Sequence, residues 1–287
     1  MSNTLQQVAV LLGRGVVPTA TPVVGVDDLG LTRGHGCFDA TRVRFAAGVA
    51  DIDVLELHIA RLHRSAAALG IPCPEPAAWH DLTQEACRVY AGDGEAMLKL
   101  VLTGGGETLP AGPVAYVTLT EIGEETFRQR EGITVATLSR GVASDAYADA
   151  PWLLGGVKTI AYATKLAAKE EAHRRGADDA LFVSTDGFAL EAPTSAIVVR
   201  HGRELATTPT GATGVLASIT IDRIAEAAPQ EGYTLTHRLF TPADVRAADG
   251  AWFVSSVRGV APIRRLDDVD LPTDTTGDDV VRRLAGF

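Results

Sequence analysis

The spacing of apolar residues changes period repeatedly along this chain. Short apolar runs and strict alternations predict strands over 8–12, 38–45, 96–102 and 114–119. In the second of these, Thr41, Val43 and Phe45 alternate with polar neighbours. Leu55, Leu57, Leu62 and Leu69 mark a helix over 53–69, and a second helix is expected over 81–91. Beyond a charged stretch with few apolar residues, strands are expected over 133–138, 180–184, 196–199 and 251–255. Helices are expected over 162–175, 219–228 and 242–248. The first of these carries Glu170/Arg174 and Glu171/Arg175 at i,i+4 spacing and stops at Gly176. The order is mixed rather than strictly alternating, which predicts an α+β protein with two halves. The expected division is an N-terminal α/β domain over 1–121, a linker over 122–132 and a C-terminal domain over 133–287.

Composition narrows the functional classes. The chain has 287 residues, of which 46% are hydrophobic, enough to bury a substantial core without staples. The formal charge of −10 argues against a general nucleic-acid-binding surface. Cys37, Cys73 and Cys87 form no CxxC pair and leave an odd count, so a reducing cytoplasm fits better than a disulfide framework. No basic segment precedes the short apolar run 8–12, and no run approaches the ~20 apolar residues of a membrane span. These features predict a soluble cytoplasmic protein without membrane or nucleic-acid partners.

Lysine is scarce, with Lys99, Lys158, Lys165 and Lys169 the only four. Lys158 follows Gly155-Gly156-Val157 and precedes a helix, where backbone can approach a ligand closely. Lys165 and Lys169 lie one turn apart on a charged helix and read as solvated. Glu191 lies among apolar residues after a turn, a setting in which a buried carboxylate needs a partner. Thr194-Ser195, Ser218-Ile219-Thr220 and Ser255-Ser256 are small polar clusters. Ser218 or Thr220 can open the next helix, whose N-terminal N–H groups suit a phosphate. Arg61 is a further candidate for the same phosphate. Gly104-Gly105-Gly106 lacks the following Lys-Ser/Thr of a P-loop, and the histidines form no metal signature.

The order of these pieces resembles the fold-type IV pyridoxal-phosphate enzymes, the class IV aminotransferase family. The resemblance runs from Asp28 through Gly34-His35-Gly36-Cys37-Phe38-Asp39, then His58-Ile59-Ala60-Arg61-Leu62, Gly156-Val157-Lys158, Glu171 to Gly176, and Asp186-Gly187-Phe188-Ala189-Leu190-Glu191. It implies the two-domain architecture of D-amino-acid aminotransferases, with the C-terminal domain binding pyridoxal 5'-phosphate. It implies that Lys158 carries the cofactor as a Schiff base and acts as the catalytic base. Glu191 would salt-link the protonated pyridine nitrogen. Arg61, Thr194, Ser195, Ser218, Ile219, Thr220, Ser255 and Ser256 would hold the cofactor, and Phe38, Lys99 and Arg258 would face substrate. The resemblance also implies a homodimer acting on a small amino substrate.

Two departures stand out. The family's Gly-Ile-Thr-Arg phosphate loop is Ser218-Ile219-Thr220-Ile221 here, and the asparagine usual after the glutamate is Ala196. Within the family, D-amino-acid aminotransferases hold the substrate carboxylate with an Arg-x-His pair that is absent from 102–107. Lys99, the segment around His35 and the length of the segment before Pro262 resemble 4-amino-4-deoxychorismate lyases. A lyase releasing pyruvate and p-aminobenzoate for folate synthesis is therefore the preferred expectation. A branched-chain or D-amino-acid aminotransferase is the alternative, and a non-catalytic cofactor-binding protein a remote one.

Overall fold

A computed structural model describes residues 6–108 and 112–287. The expectations for the start of the chain and for the loop between the third and fourth strands fall partly outside these residues. The chain forms two compact units: Met1–Gly123 with Val157–Tyr162, and Glu124–Gly156 with Ala163–Phe287. Both mix helix and sheet, as expected for an α+β protein.

The first unit contains β1 Gln7–Leu11, β2 Gly15–Val17, α1 Leu29–Arg33, β3 Gly36–Ala46, β4 Val49–Ile52, α2 Leu55–Ala68, α3 Pro76–Val89, β5 Gly94–Thr103 and β6 Ala115–Glu121. Its strands form one antiparallel sheet in the order β2-β1-β6-β5-β3-β4. Alternation on β5 buries Leu98, Leu100 and Leu102, which pack with Ile59 and Leu62 of α2 and Trp79 of α3. Helix α3 starts at Pro76, ahead of the expected 81, because proline is accepted at a first helical position and Trp79 already begins the buried stripe.

The register of β3 creates a docking edge. It pairs with β5 along residues 36–45, but with β4 only from Val43 onward. The open edge at 36–38 takes up the segment 157–162. The Phe38 N–H donates to the Lys158 carbonyl at 3.0 Å, and the Ile160 N–H to the Gly36 carbonyl at 3.0 Å. A β-carbon on Gly36 would lie 2.7 Å from both Ile160 Cδ1 and the Leu102 carbonyl oxygen, so only glycine permits this approach.

The second unit contains α4 Glu124–Glu131, β7 Ile133–Ser139, α5 Ala163–Arg174, β8 Asp179–Val183, β9 Ala196–His201, β10 Glu204–Thr207, α6 Ile219–Ala227, β11 Thr234–His237, α7 Pro242–Arg246, β12 Gly250–Ser255, β13 Gly259–Leu266, β14 Val269–Asp270 and α8 Thr275–Ala285. The sheet order is β11-β10-β9-β12-β13-β7-β8, with β14 on β13. Pairs β10/β11, β13/β7 and β7/β8 are parallel.

Two elements correct the sequence reading. The expected linker carries helix α4, which belongs to this unit. Its shortage of apolar residues, Phe127 alone, is offset by polar anchoring: Arg130 donates to the carbonyls of Val257 and Arg258, and Arg128 pairs with Glu125 and Asp178. Helix α8 was not anticipated. It buries Val280, Val281, Leu284 and Ala285 against Trp252 and Val254 of β12. Trp252 Nε1 donates to Asp278 at 2.7 Å, which satisfies two groups that would otherwise be costly to bury. Among the described residues, no helix is long and apolar enough to cross a membrane.

Candidate active site

In the first unit, Lys158 is held by its backbone. Besides the β3 contact, its N–H donates to Ser65 Oγ at 3.2 Å. Its side chain rises over the Phe38 ring, with Nζ 4.5 Å from the ring centroid and 3.3 Å from Tyr162 Oη. Tyr162 stands edge-on to Phe38 at 5.1 Å. Lys99 reaches the same ring from β5, its Nζ 5.7 Å from the centroid, and burial lowers its pKa below the usual lysine value. Phe38, Lys99 and Lys158, three of the expected residues, thus meet at one aromatic ring. Tyr162 was not anticipated. Its signal was present, since it follows Lys158 by four residues just ahead of α5.

Arg61 lies on the buried face of α2 with His58 and Ser65, which the i, i+3, i+7 spacing brings to one side. Its Nε and Nη2 donate to Asp39 Oδ2 and Oδ1, each at 2.8 Å. Asp39 is fully buried on β3 and also accepts from His58 Nδ1 at 2.7 Å and from the Ala40 N–H at 2.8 Å. Burial alone would raise the Asp39 pKa; the bonds from Arg61 and His58 outweigh it and hold the carboxyl well below the usual range. Burial pushes the His58 imidazole down, despite the opposing pull of Asp39.

In the second unit, Glu191 is 5% exposed, the buried setting that its apolar neighbours suggest. Its Oε2 accepts the Leu216 N–H at 3.2 Å. Its Oε1 is 3.6 Å from both Arg140 Nη1 and Lys165 Nζ. Lys165 is thereby corrected from a solvated helical lysine to a partner of the candidate carboxylate, because the first turn of α5 turns it inward. Arg140, which sequence reasoning missed, lies over the Tyr147 ring. Ser218 caps α6, its Oγ accepting the Ile221 N–H at 3.4 Å, with Ile219 and Thr220 buried in the first turn. First-turn N–H groups have no intrahelical acceptor, so this terminus suits an anion despite the departure from the family's loop.

The remaining expected residues divide. Arg258, expected to face substrate, is buried and donates to Asp179 at 2.7 Å, Ser195 at 2.6 Å and Gln129 at 3.2 Å. Ser195 is thus engaged with an arginine, whereas Thr194 is exposed. Ser255 ends β12 and Ser256 lies in the following turn, both half-buried. Among the described residues, no group of three or more His, Cys, Asp or Glu side chains is placed to hold a metal.

The donor set suits pyridoxal 5'-phosphate. The first unit offers an amine seated on an aromatic ring; the second, by itself, offers a buried carboxylate with one backbone N–H at hydrogen-bond distance and a helix start for an anion. The comparisons agree with this chemistry. A family model described as amino-transferase class IV matches residues 36–266. A bifunctional aminodeoxychorismate lyase / D-amino acid transaminase of Mycobacterium tuberculosis is 31% identical, over 92% of each chain. A fold IV transaminase from Curtobacterium pusillum superposes with a TM-score of 0.88 at 36% identity, covering 98% of this chain and 97% of that one. The PLP-bound form of a hypothetical aminotransferase from Mycobacterium tuberculosis gives 0.90 at 31% identity, covering 97% of each. The chain therefore belongs to the class IV aminotransferase family of pyridoxal-phosphate-dependent enzymes.

Proposed function

We propose that this enzyme is a 4-amino-4-deoxychorismate lyase that releases pyruvate and p-aminobenzoate, with Lys158 as its catalytic residue. The observation that carries the reading is the pair of amines on the Phe38 ring. One is needed to hold the cofactor; the second, Lys99, suits a carboxylate of an acidic substrate. The bound cofactor supplies an aldehyde that takes up amines and a ring that accepts electrons from the reacting carbon. Glu191 would hold the protonated ring nitrogen, and Arg61 and the start of α6 would hold the phosphate. Lys158 would hold that aldehyde until a substrate amine binds. Its freed Nζ, kept near by Tyr162 and Phe38, then takes the proton from the reacting carbon. In the lyase, loss of the enolpyruvyl side chain as pyruvate follows, and the remaining ring aromatises.

The second reading is an aminotransferase, in which the same Lys158 Nζ would take that proton and deliver it for amino-group transfer instead of side-chain loss. The family description and the Curtobacterium pusillum transaminase favour it. Both readings use the same first steps, so a product assay decides between them. Incubation of the cofactor-loaded protein with 4-amino-4-deoxychorismate is expected to release p-aminobenzoate, and Lys158→Ala to abolish release. A loaded protein that releases none, yet moves the amino group of D-alanine, L-glutamate or a branched-chain amino acid, is an aminotransferase. A loaded protein that does neither only binds its cofactor.

A further inference from the structure

We propose that Asp39 and His58 are positioning residues for the cofactor phosphate, acting through Arg61. The inference rests on the reading of Arg61 as a phosphate ligand and deepens it.

Arg61 is poorly suited to hold an anion in place by itself. An arginine side chain carries several rotatable bonds, and ordering them costs binding free energy. Here that ordering is done beforehand. Two nitrogens of the guanidinium are held by the two oxygens of Asp39, a bidentate pair that fixes both the plane and the direction of the group. The carboxylate is itself immobilised. It sits on β3, fully buried, with the Ala40 N–H and His58 Nδ1 as further donors. These donated hydrogen bonds explain why the carboxylate stays ionised although buried.

The third member has a specific chemical state. Because Nδ1 donates to Asp39, the neutral imidazole keeps its proton there, and Nε2 becomes an acceptor. Among the described residues, Nε2 is buried with no hydrogen-bond partner. A structural histidine gains nothing from such an atom, since an unsatisfied buried acceptor is destabilising. A ligand-side donor, whether a water bound with the phosphate or the protonated phosphate itself, would satisfy it. Helix α2 carries His58, Arg61 and the Ser65 that holds the Lys158 backbone on one face. One helix thus registers the phosphate ligand against the lysine.

The test compares two ligands that differ only by the phosphate. Dissociation constants for pyridoxal 5'-phosphate and for pyridoxal are measured on the cofactor-stripped protein by absorbance titration. Asp39→Asn keeps the shape and removes the charge. It is expected to weaken pyridoxal 5'-phosphate by roughly tenfold or more while moving pyridoxal less than about threefold, the scale on which supporting residues act through a ligand. His58→Gln is expected to shift the same ratio in the same direction by a smaller factor. It decides the matter alone should Asp39→Asn fail to fold. Equal weakening of both ligands would reduce Asp39 to a general structural role. Unchanged or tighter phosphate-ester binding would mean that freeing the Arg61 charge outweighs its orientation. Either result overturns the proposal. A wild-type protein that does not prefer pyridoxal 5'-phosphate over pyridoxal, or an Arg61→Met variant that keeps the preference, would instead sink the phosphate reading of Arg61 itself.

Discussion

Arg258 gives the sharpest test of the assignment, because sequence and structure give it different work. As a substrate ligand it would be dispensable for folding. In the structure its guanidinium lies against Asp179, with side chains 9% and 1% exposed, and also serves Ser195 and Gln129. Arg258→Met removes the cation and leaves the Asp179 carboxylate buried without its counter-charge. Breaking a buried pair from one side costs about 3–5 kcal/mol, whereas replacing both members by apolar groups is often near neutral. The single variant is therefore expected to lose about 3–5 kcal/mol in the second unit, and Arg258→Met/Asp179→Leu to recover much of that loss. Hydrogen exchange at the amides of β12 and β13 reads this unit alone, which avoids assuming that both units unfold together. Four variants complete the double-mutant cycle. An Arg258→Met protein within about 1 kcal/mol of wild type, but with a raised KM, would refute the reasoning and return Arg258 to the substrate.

Two further outcomes follow from the geometry. Gly36→Ala forces a β-carbon against Ile160 Cδ1 and the Leu102 carbonyl, so it should cost about 1–3 kcal/mol and displace the segment that carries Lys158. A fall in kcat of roughly a hundredfold is expected with folding retained, and a variant of wild-type kcat would remove the docking edge as the device that positions the lysine. The second concerns pH. The unfolded His58 imidazole titrates near 6.5 and the buried one lower, so the unfolded chain takes up the proton first. Its contribution is present above pH 6.5 and is lost as the pH falls from there through the lowered value. Asp39, also lowered, keeps its contribution down to the ordinary carboxylate value of 3.8 and loses it only below that. Urea titrations from pH 7.5 to 4.5 should show this decline, with His58→Gln flattening it; an unchanged slope in that variant would contradict the burial of a neutral imidazole.

What the order of residues determined alone was the inventory. Apolar periodicity located β3, α2, β5, β6 and α6, because each buries one side and so carries the period of its own backbone, whereas α5 was legible from its i,i+4 charge pairs and the glycine that stops it. The motifs nominated Lys158, Glu191 and Arg61 because their residue types occur in a fixed order. Periodicity is weaker where an element is held by polar groups, so α4 read as a linker although its arginines anchor it. Only the tertiary structure decided partners. Asp39 stood in the opening motif with no role assigned to it; the match between its strand and the His58/Arg61 face of α2 turned it into an anchor. Lys165 and Arg140 converge on Glu191 from different elements, and Arg258 was drawn to Asp179 rather than outward. These pairings join positions far apart in sequence, where burial of a charge demands a counter-charge but the chain order does not say which.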